Sequence, residues 1–253
     1  MKDKKSEFKL KSKNQTLSIF PISDVHVGTP FFNQNFFEYM LKKFETTSGN
    51  KIIYLLGDLM DCATKRISNS AYQQVMTPEE QLNYILDKLE PYSRYINGCV
   101  IGNHCQRFIK EFDLDIMKIL ADSLDSPYTV EINDTIYIND KPYVVWGSHG
   151  TKTSQQLHLM QGAVMRQTQH IDANLYLYGH AHYLSNWSQV GRYGNEYKRK
   201  HYVLTGHFIN YDGSYAQKMM LKPQLPGFSK ISIDSNLRTN VDLYNIDEVT
   251  YES

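Results

Sequence analysis

The sequence is short of cysteine, of net charge and of long apolar runs, and each shortage closes off a class of protein. Its three cysteines, Cys62, Cys99 and Cys105, are too few and odd in number for a disulfide framework. A reducing, cytoplasmic setting is therefore the expectation. Lysine plus arginine matches aspartate plus glutamate at 27 each, for a formal charge of zero. That excludes a broad cationic surface coating nucleic acid, though not a local basic groove. No apolar run approaches the ~20 residues that span a bilayer. The lysine-rich start lacks the apolar segment of a secretory signal, so no membrane association is expected. Internal repeats, low-complexity tracts and linker-like stretches are absent as well.

What remains is an ordinary globular composition, 41% hydrophobic and 21% charged over 253 residues. Residues 1–16 read as a basic, flexible lead-in and 17–253 as a single domain. Five apolar runs then share one design. Residues 17–22, 51–57, 95–101, 143–146 and 173–178 each read as a strand. Each delivers Asp, Asn or His just past its end: Asp24 and His26, Asp58 and Asp61, Asn103 and His104, His149, and His180 and His182. In open α/β sheets ligands bind at the carboxyl ends of strands, so five such endings predict one polar cleft.

Between these runs the spacing predicts helices over 33–47, from Thr77 onward, over 113–124 and over 154–170. Asn33 or Asn35 caps the first. Thr77-Pro78-Glu79-Glu80 opens the second, which turns Leu82, Ile85, Leu86 and Leu89 inward. Asn133-Asp134 signals a hairpin between 128–132 and 135–138. Late strands are expected over 200–205 and, as an edge strand, over 228–233. Alternating early strands and helices with late clustered strands favour a layered α/β domain with mixed sheets.

In an extended segment residues i and i+2 point the same way, so Asp24 and His26 can aim at one ion, and His180 and His182 likewise. With Asp58, Asn103 and His149 the candidates number seven, too many for one ion and suited to two that share a carboxylate. Imidazoles with carboxylates favour Mn, Fe or Zn, with Mn first. A pair of ions about 3.5–4 Å apart can clamp both oxygens of an in-line phosphoryl displacement.

Asp24-Val25-His26, Gly57-Asp58-Leu59-Met60-Asp61, Gly102-Asn103-His104, Gly147-Ser148-His149 and Gly179-His180-Ala181-His182 resemble, in order, the five signature blocks of the calcineurin-like metallophosphoesterases. The resemblance implies a four-layer α/β/β/α sandwich with two mixed β-sheets flanked by helices. It implies that Asp24, His26, Asp58 and His182 hold one metal, and that Asp58, Asn103, His149 and His180 hold the other. The nucleophile is then a hydroxide between the ions. It also implies that His104 protonates the leaving oxygen and that Asp61 orients His104. The stretch from Ser214-Tyr215-Ala216 to Pro226-Gly227-Phe228 looks similar to virus-encoded members.

Two departures matter. Cys62 stands where the family's protein phosphatases have arginine, and Cys105 where they have glutamate. The first removes a phosphate-gripping group and points away from protein substrates. Lys65, Arg66, Arg107 and Lys110 follow the blocks and are candidates for substrate-phosphate contact; a solvated face is the competing reading. His158, His170 and His201 read as structural. His207 follows a strand and is read the same way rather than as a ligand. Cys62 and Cys105 are expected to be neighbours. The expected activity is phosphodiester hydrolysis of nucleic acid or nucleotides; phosphomonoester hydrolysis and a non-catalytic scaffold are the alternatives.

Overall fold

The computed structural model describes residues 7–11, 15–63 and 73–248. In chain order they form β1 (Glu7–Phe8), β2 (Thr16–Ile22), α1 (Gln34–Thr46), β3 (Asn50–Leu55), α2 (Pro78–Leu89), β4 (Ile96–Val100), α3 (Asn103–Phe112) and α4 (Ile116–Ser123). There follow β5 (Tyr128–Thr129), β6 (Ile132–Ile138), β7 (Lys141–Ser148), α5 (Leu157–Gln167), β8 (Leu175–Tyr178), β9 (Leu184–Tyr193), β10 (Glu196–His207), α6 (Tyr215–Lys218), β11 (Gly227–Asp234) and β12 (Thr239–Asn245).

The strands build a mixed, curled sheet in the order β1-β6-β7-β8-β10-β11-β2-β3-β4-β5, with β9 beside β10 and β12 beside β11. The two mixed sheets expected from the sequence are joined here in one path. The joint is narrow: β10 meets β11 only at Gly206–Phe228 and His207–Gly227. β2, β3 and β4 run parallel, as do β7, β8 and β10. These parallel runs aim their carboxyl ends at the same region, which is what gathers the five polar endings.

Three apolar clusters hold the layers together. One sets Phe36, Phe37, Met40 and Phe44 of α1, Ile85 and Leu89 of α2 and Met117 and Leu120 of α4 against Phe20, Ile53 and Leu55 of the sheet. A second joins Leu17, Ile19, Tyr54 and Ile231 to Ile136, Val145, Leu175 and Val203, so strands from both halves of the path face each other. A third packs Met160 and Val164 of α5 on Trp146, Tyr176 and Leu204. Tyr54 crosses the second cluster and donates its hydroxyl to Asp134 Oδ2 at 2.6 Å.

Several elements differ from expectation. Asn133 and Asp134 do not turn; they pair with Trp146 and Val145 inside β6. The turn lies at Asn139-Asp140, whose φ values of 50° and 64° are what a type I′ hairpin needs. The strand expected over 200–205 is longer, and it pairs along its length with β9, which sequence reasoning missed despite the Gly194-Asn195 turn. The strand over 228–233 is interior, flanked by β12 on one side and by β10 and β2 on the other. The helix expected over 113–124 is α4, which starts at Ile116 behind an Asp115 cap; α3, which precedes it, was not expected. In α2, Ile85 and Leu89 are buried as expected, whereas Gln81 takes a buried place and Leu82 and Leu86 are only partly covered. From the lead-in, β1 pairs with β6 and Leu10 is buried, its N–H donating to Asn139 Oδ1.

Candidate metal centre

Each block sits where a strand has just ended, and the chain there turns sharply. Asp24, His26, Asp58, His180 and His182 all have φ between 49° and 62°. Non-glycine residues in the left-handed region are strained, and such residues concentrate at functional sites. The extended geometry expected for Asp24–His26 and His180–His182 is therefore not what aligns them. Backbone hydrogen bonds hold the bends instead: Asp24 N–H to Gly57 O at 3.1 Å and His26 N–H to Asp58 O at 3.0 Å. Gly102 lets the third block approach, since a Cβ there would lie 1.9 Å from Asp58 Oδ1.

The result is three overlapping clusters with ligand atoms within 4.8 Å of one another: Asp24, His26 and His182; His26, Asp58 and His104; Asp58, His149 and His180. His180 and His182 thus fall into different clusters rather than sharing one. Asp24 Oδ1 stands 3.2 Å from His182 Nε2 and 3.8 Å from His26 Nε2. His149 Nε2 stands 3.1 Å from Asp58 Oδ2 and 2.9 Å from Asn103 Oδ1. Asp58 Oδ1 accepts the His104 N–H at 2.9 Å, and Asp24 Oδ2 accepts the His180 N–H at 2.9 Å.

The other ring nitrogens are tied down, as they are in metal-binding histidines. His149 Nδ1 donates to Leu56 O at 2.8 Å and His26 Nδ1 to Asp61 Oδ1 at 3.1 Å. Both rings so keep Nε2 directed at the carboxylates. Among the described residues, Asp24 Oδ1 and His26 Nε2 are buried with no hydrogen-bond partner, a costly state that a cation between them removes. The donor set fits a divalent ion of the Mn, Fe or Zn type.

The electrostatics agree. Burial alone would raise Asp24, but the imidazoles of His182 and His26 beside it hold it well below its usual range. Asp58 is lowered against burial by His149 and His104, and Asp61 by His104 and His26. Burial would lower His26, yet Asp24 and Asp61 push it up to about 10. Burial likewise opposes the rise of His149, which Asp58 lifts to about 9. Burial and His149 lower His180. A cation would take the place of these imidazole protons.

His104 sits at the first turn of α3, mostly buried, as the member of its cluster with His26 and Asp58. Its Nδ1 lies 3.1 Å from Asp61 Oδ1 and 2.9 Å from Asp61 O. Asp61 therefore serves His26 as well as His104. Arg107, one turn along α3, brings its guanidinium within 3.3 Å of both ring nitrogens of His104. Lys110 is exposed on the same helix, and Lys65 and Arg66 lie outside the described residues. Cys62 and Cys105 are neighbours, their Sγ atoms 3.9 Å apart and buried. His207 stacks on His182 at 4.9 Å. Its Nδ1 accepts the Ile209 N–H at 3.1 Å, which leaves the proton on Nε2 and no lone pair there for a metal. Sequence reasoning missed two residues that touch this region, Gln74 and Gln81, because no motif marks them.

A family model described as calcineurin-like phosphoesterase matches residues 17–218. None of the curated proteins compared with the chain matches it. Solved structures with a similar course include vacuolar protein sorting 29 from Cryptosporidium parvum, 13% identical with a TM-score of 0.48, covering 92% of this chain and 99% of that one. A predicted phosphoesterase from Streptococcus pneumoniae is 14% identical with a TM-score of 0.44, covering 94% of each chain. Wild-type Vps29 from Entamoeba histolytica, complexed with Zn2+, is 12% identical with a TM-score of 0.40, covering 90% of this chain and 98% of that one. Likenesses this distant carry no functional argument.

Proposed function

Because this chain belongs to the calcineurin-like phosphoesterase family, we propose that it is a two-metal phosphodiesterase acting on nucleic acid or nucleotides. The observation that carries the two-metal reading is the place of Asp58. Its carboxylate belongs at once to the cluster with His26 and to the cluster with His149 and His180. In this reading Asp24, His26 and His182 hold one divalent ion, Asn103, His149 and His180 hold the other, and Asp58 is shared. When bound, such ions supply Lewis acidity and lower the pKa of water toward neutrality; manganese is the first choice.

The chain's own groups do the rest. His104, held at Nδ1 by Asp61, carries a proton at Nε2 to the leaving oxygen. Arg107 replaces the arginine lacking at Cys62 and draws the phosphate toward His104; Lys65 and Arg66 are further contacts. The curled sheet is a four-layer sandwich in a single domain over 17–253, a reading supported by three separate apolar clusters. Residence in the cytoplasm rests on three cysteines, too few and odd in number for a disulfide framework, and a virus-encoded origin on residues 214–228 alone.

The diester preference is tested with Mn2+-supplemented hydrolysis of bis-p-nitrophenyl phosphate against p-nitrophenyl phosphate. Faster diester turnover is expected. Faster monoester turnover replaces the reading with a phosphomonoesterase. No turnover, with no metal by elemental analysis, replaces it with a scaffold.

A further inference from the structure

Asp61 offers one oxygen to two histidines. Oδ1 lies 3.1 Å from His26 Nδ1 and 3.1 Å from His104 Nδ1, while Oδ2 accepts from Gln74 Nε2 at 2.7 Å. A carboxylate that turned about its Cβ–Cγ bond would lose His26 and leave His104 only the Asp61 carbonyl oxygen, 2.9 Å from its Nδ1. We propose that Gln74 and Gln81 are positioning residues of this site, a relay of two amides that fixes the Asp61 carboxylate so that a single oxygen faces His26 and His104 together. For the consequence at His104 this rests on the phosphoesterase reading; the anchoring of Asp61 does not.

The direction of the relay is set by two backbone groups. Gln81 Oε1 accepts the Cys62 N–H at 3.0 Å, and Gln81 Nε2 donates to Met76 O at 3.0 Å. A peptide N–H can only donate and a carbonyl only accept, so the Gln81 amide has one permitted orientation. Its second Nε2 hydrogen goes to Gln74 Oε1 at 3.0 Å. Gln74 must then turn Nε2 to Asp61, giving the carboxylate a donor. Gln81 is 1% exposed, and its amide spends both hydrogens and its oxygen on these contacts, which makes it a rigid anchor. Gly28 makes the room: a Cβ there would lie 2.2 Å from Gln81 Nε2. The anchor stands in the first turn of α2, whose start is fixed by the Thr77–Glu80 capping box. Neither glutamine is itself a candidate metal ligand, so each can be changed without removing a ligand.

The test is Gln74→Leu, at a half-exposed position, with Gln81→Glu as the second variant; Gln81→Glu keeps the acceptor for Cys62 but cannot donate to Gln74. Two readouts are used. In metal-free protein, the imidazole Nδ1–H signals of His26 and His104 are followed by 1H–15N spectroscopy. Both variants should exchange these protons about tenfold faster than wild type, the sign of a loosened acceptor. In Mn2+-loaded protein, turnover of methyl p-nitrophenyl phosphate is compared with methyl phenyl phosphate. The phenyl ester, with the poorer leaving group, should slow about tenfold or more and the activated ester less than about threefold, because only the former needs its proton early. Unmoved Nδ1–H signals in both variants, or equal slowing of both esters, overturns the proposal. If the signals respond while wild type hydrolyses neither ester, the relay stands and the phosphoesterase reading falls.

Discussion

Asp58 divides its carboxylate between the backbone of the His104 block and the ring of His149. Asp58→Asn should therefore lose metal and activity together, activity by more than about a hundredfold; elemental analysis retaining two ions per chain would overturn the sharing. At the same scale, ions must displace the protons that His26 holds up to about 10 and His149 up to about 9. Metal affinity should rise with pH from 6 to 8, about tenfold per unit for each proton displaced, as measured by competition with a chelating dye. The stability of the metal-free protein runs the other way. The raised histidines contribute fully below their ordinary 6.5 and lose that contribution toward 9 and 10. The depressed Asp24, Asp58 and Asp61 contribute above their ordinary 3.8 and lose it in stronger acid. His180 and His207, lowered by burial, act in the opposite sense and cost stability as pH falls through 6.5, so thermal melts of chelated protein should drop in stronger acid and again as pH rises toward 9 and 10.

The elements were legible where local chemistry decides. Asn33 caps α1 through its side chain to the Phe36 N–H, and Thr77 with Glu80 forms the expected capping box. Thr77→Ala should cost about 1 kcal/mol in urea unfolding. Because Gln81 stands on this helix, the same change should also loosen the Asp61 anchor. Where two signals competed, reading failed. Asn133-Asp134 is a good turn by composition, but β6 continues because Asp134 gains the Tyr54 hydroxyl and an Asn97 amide. Asn139-Asp140 turns instead, and Asn139 is kept there by its bonds to Leu10 N–H and O. α3 escaped because the Gly-Asn-His block reads as a loop; Cys105 and Phe108, buried three residues apart, were the signal for it.

For the whole molecule, the candidate ligands come from the ends of β2, β3, β4, β7 and β8, so ions held by them would tie both halves of the curled sheet. Chelation should lower the melting temperature, and re-addition of Mn2+ should restore it in proportion to the logarithm of free metal. A melting point indifferent to chelator would mean that the halves are held by the second cluster and the β10–β11 joint without help from metal. Among the described residues no helix is long and apolar enough to cross a membrane, consistent with the short apolar runs.

The sequence by itself determined the family and the seven convergent side chains, because strand endings and block order are written locally in residue type. It also determined the start of α2, because a cap needs only its own four residues. Only the tertiary structure decided that Asp61 serves two histidines, that Arg107 lies beside His104, that His207 has turned its lone pair to a backbone amide, and that Gln74 and Gln81 anchor the whole arrangement. Those facts depend on which atoms face each other across elements distant in the chain. Glutamine carries no pattern that announces its partners; its role exists only once the fold supplies a donor on one side and an acceptor on the other.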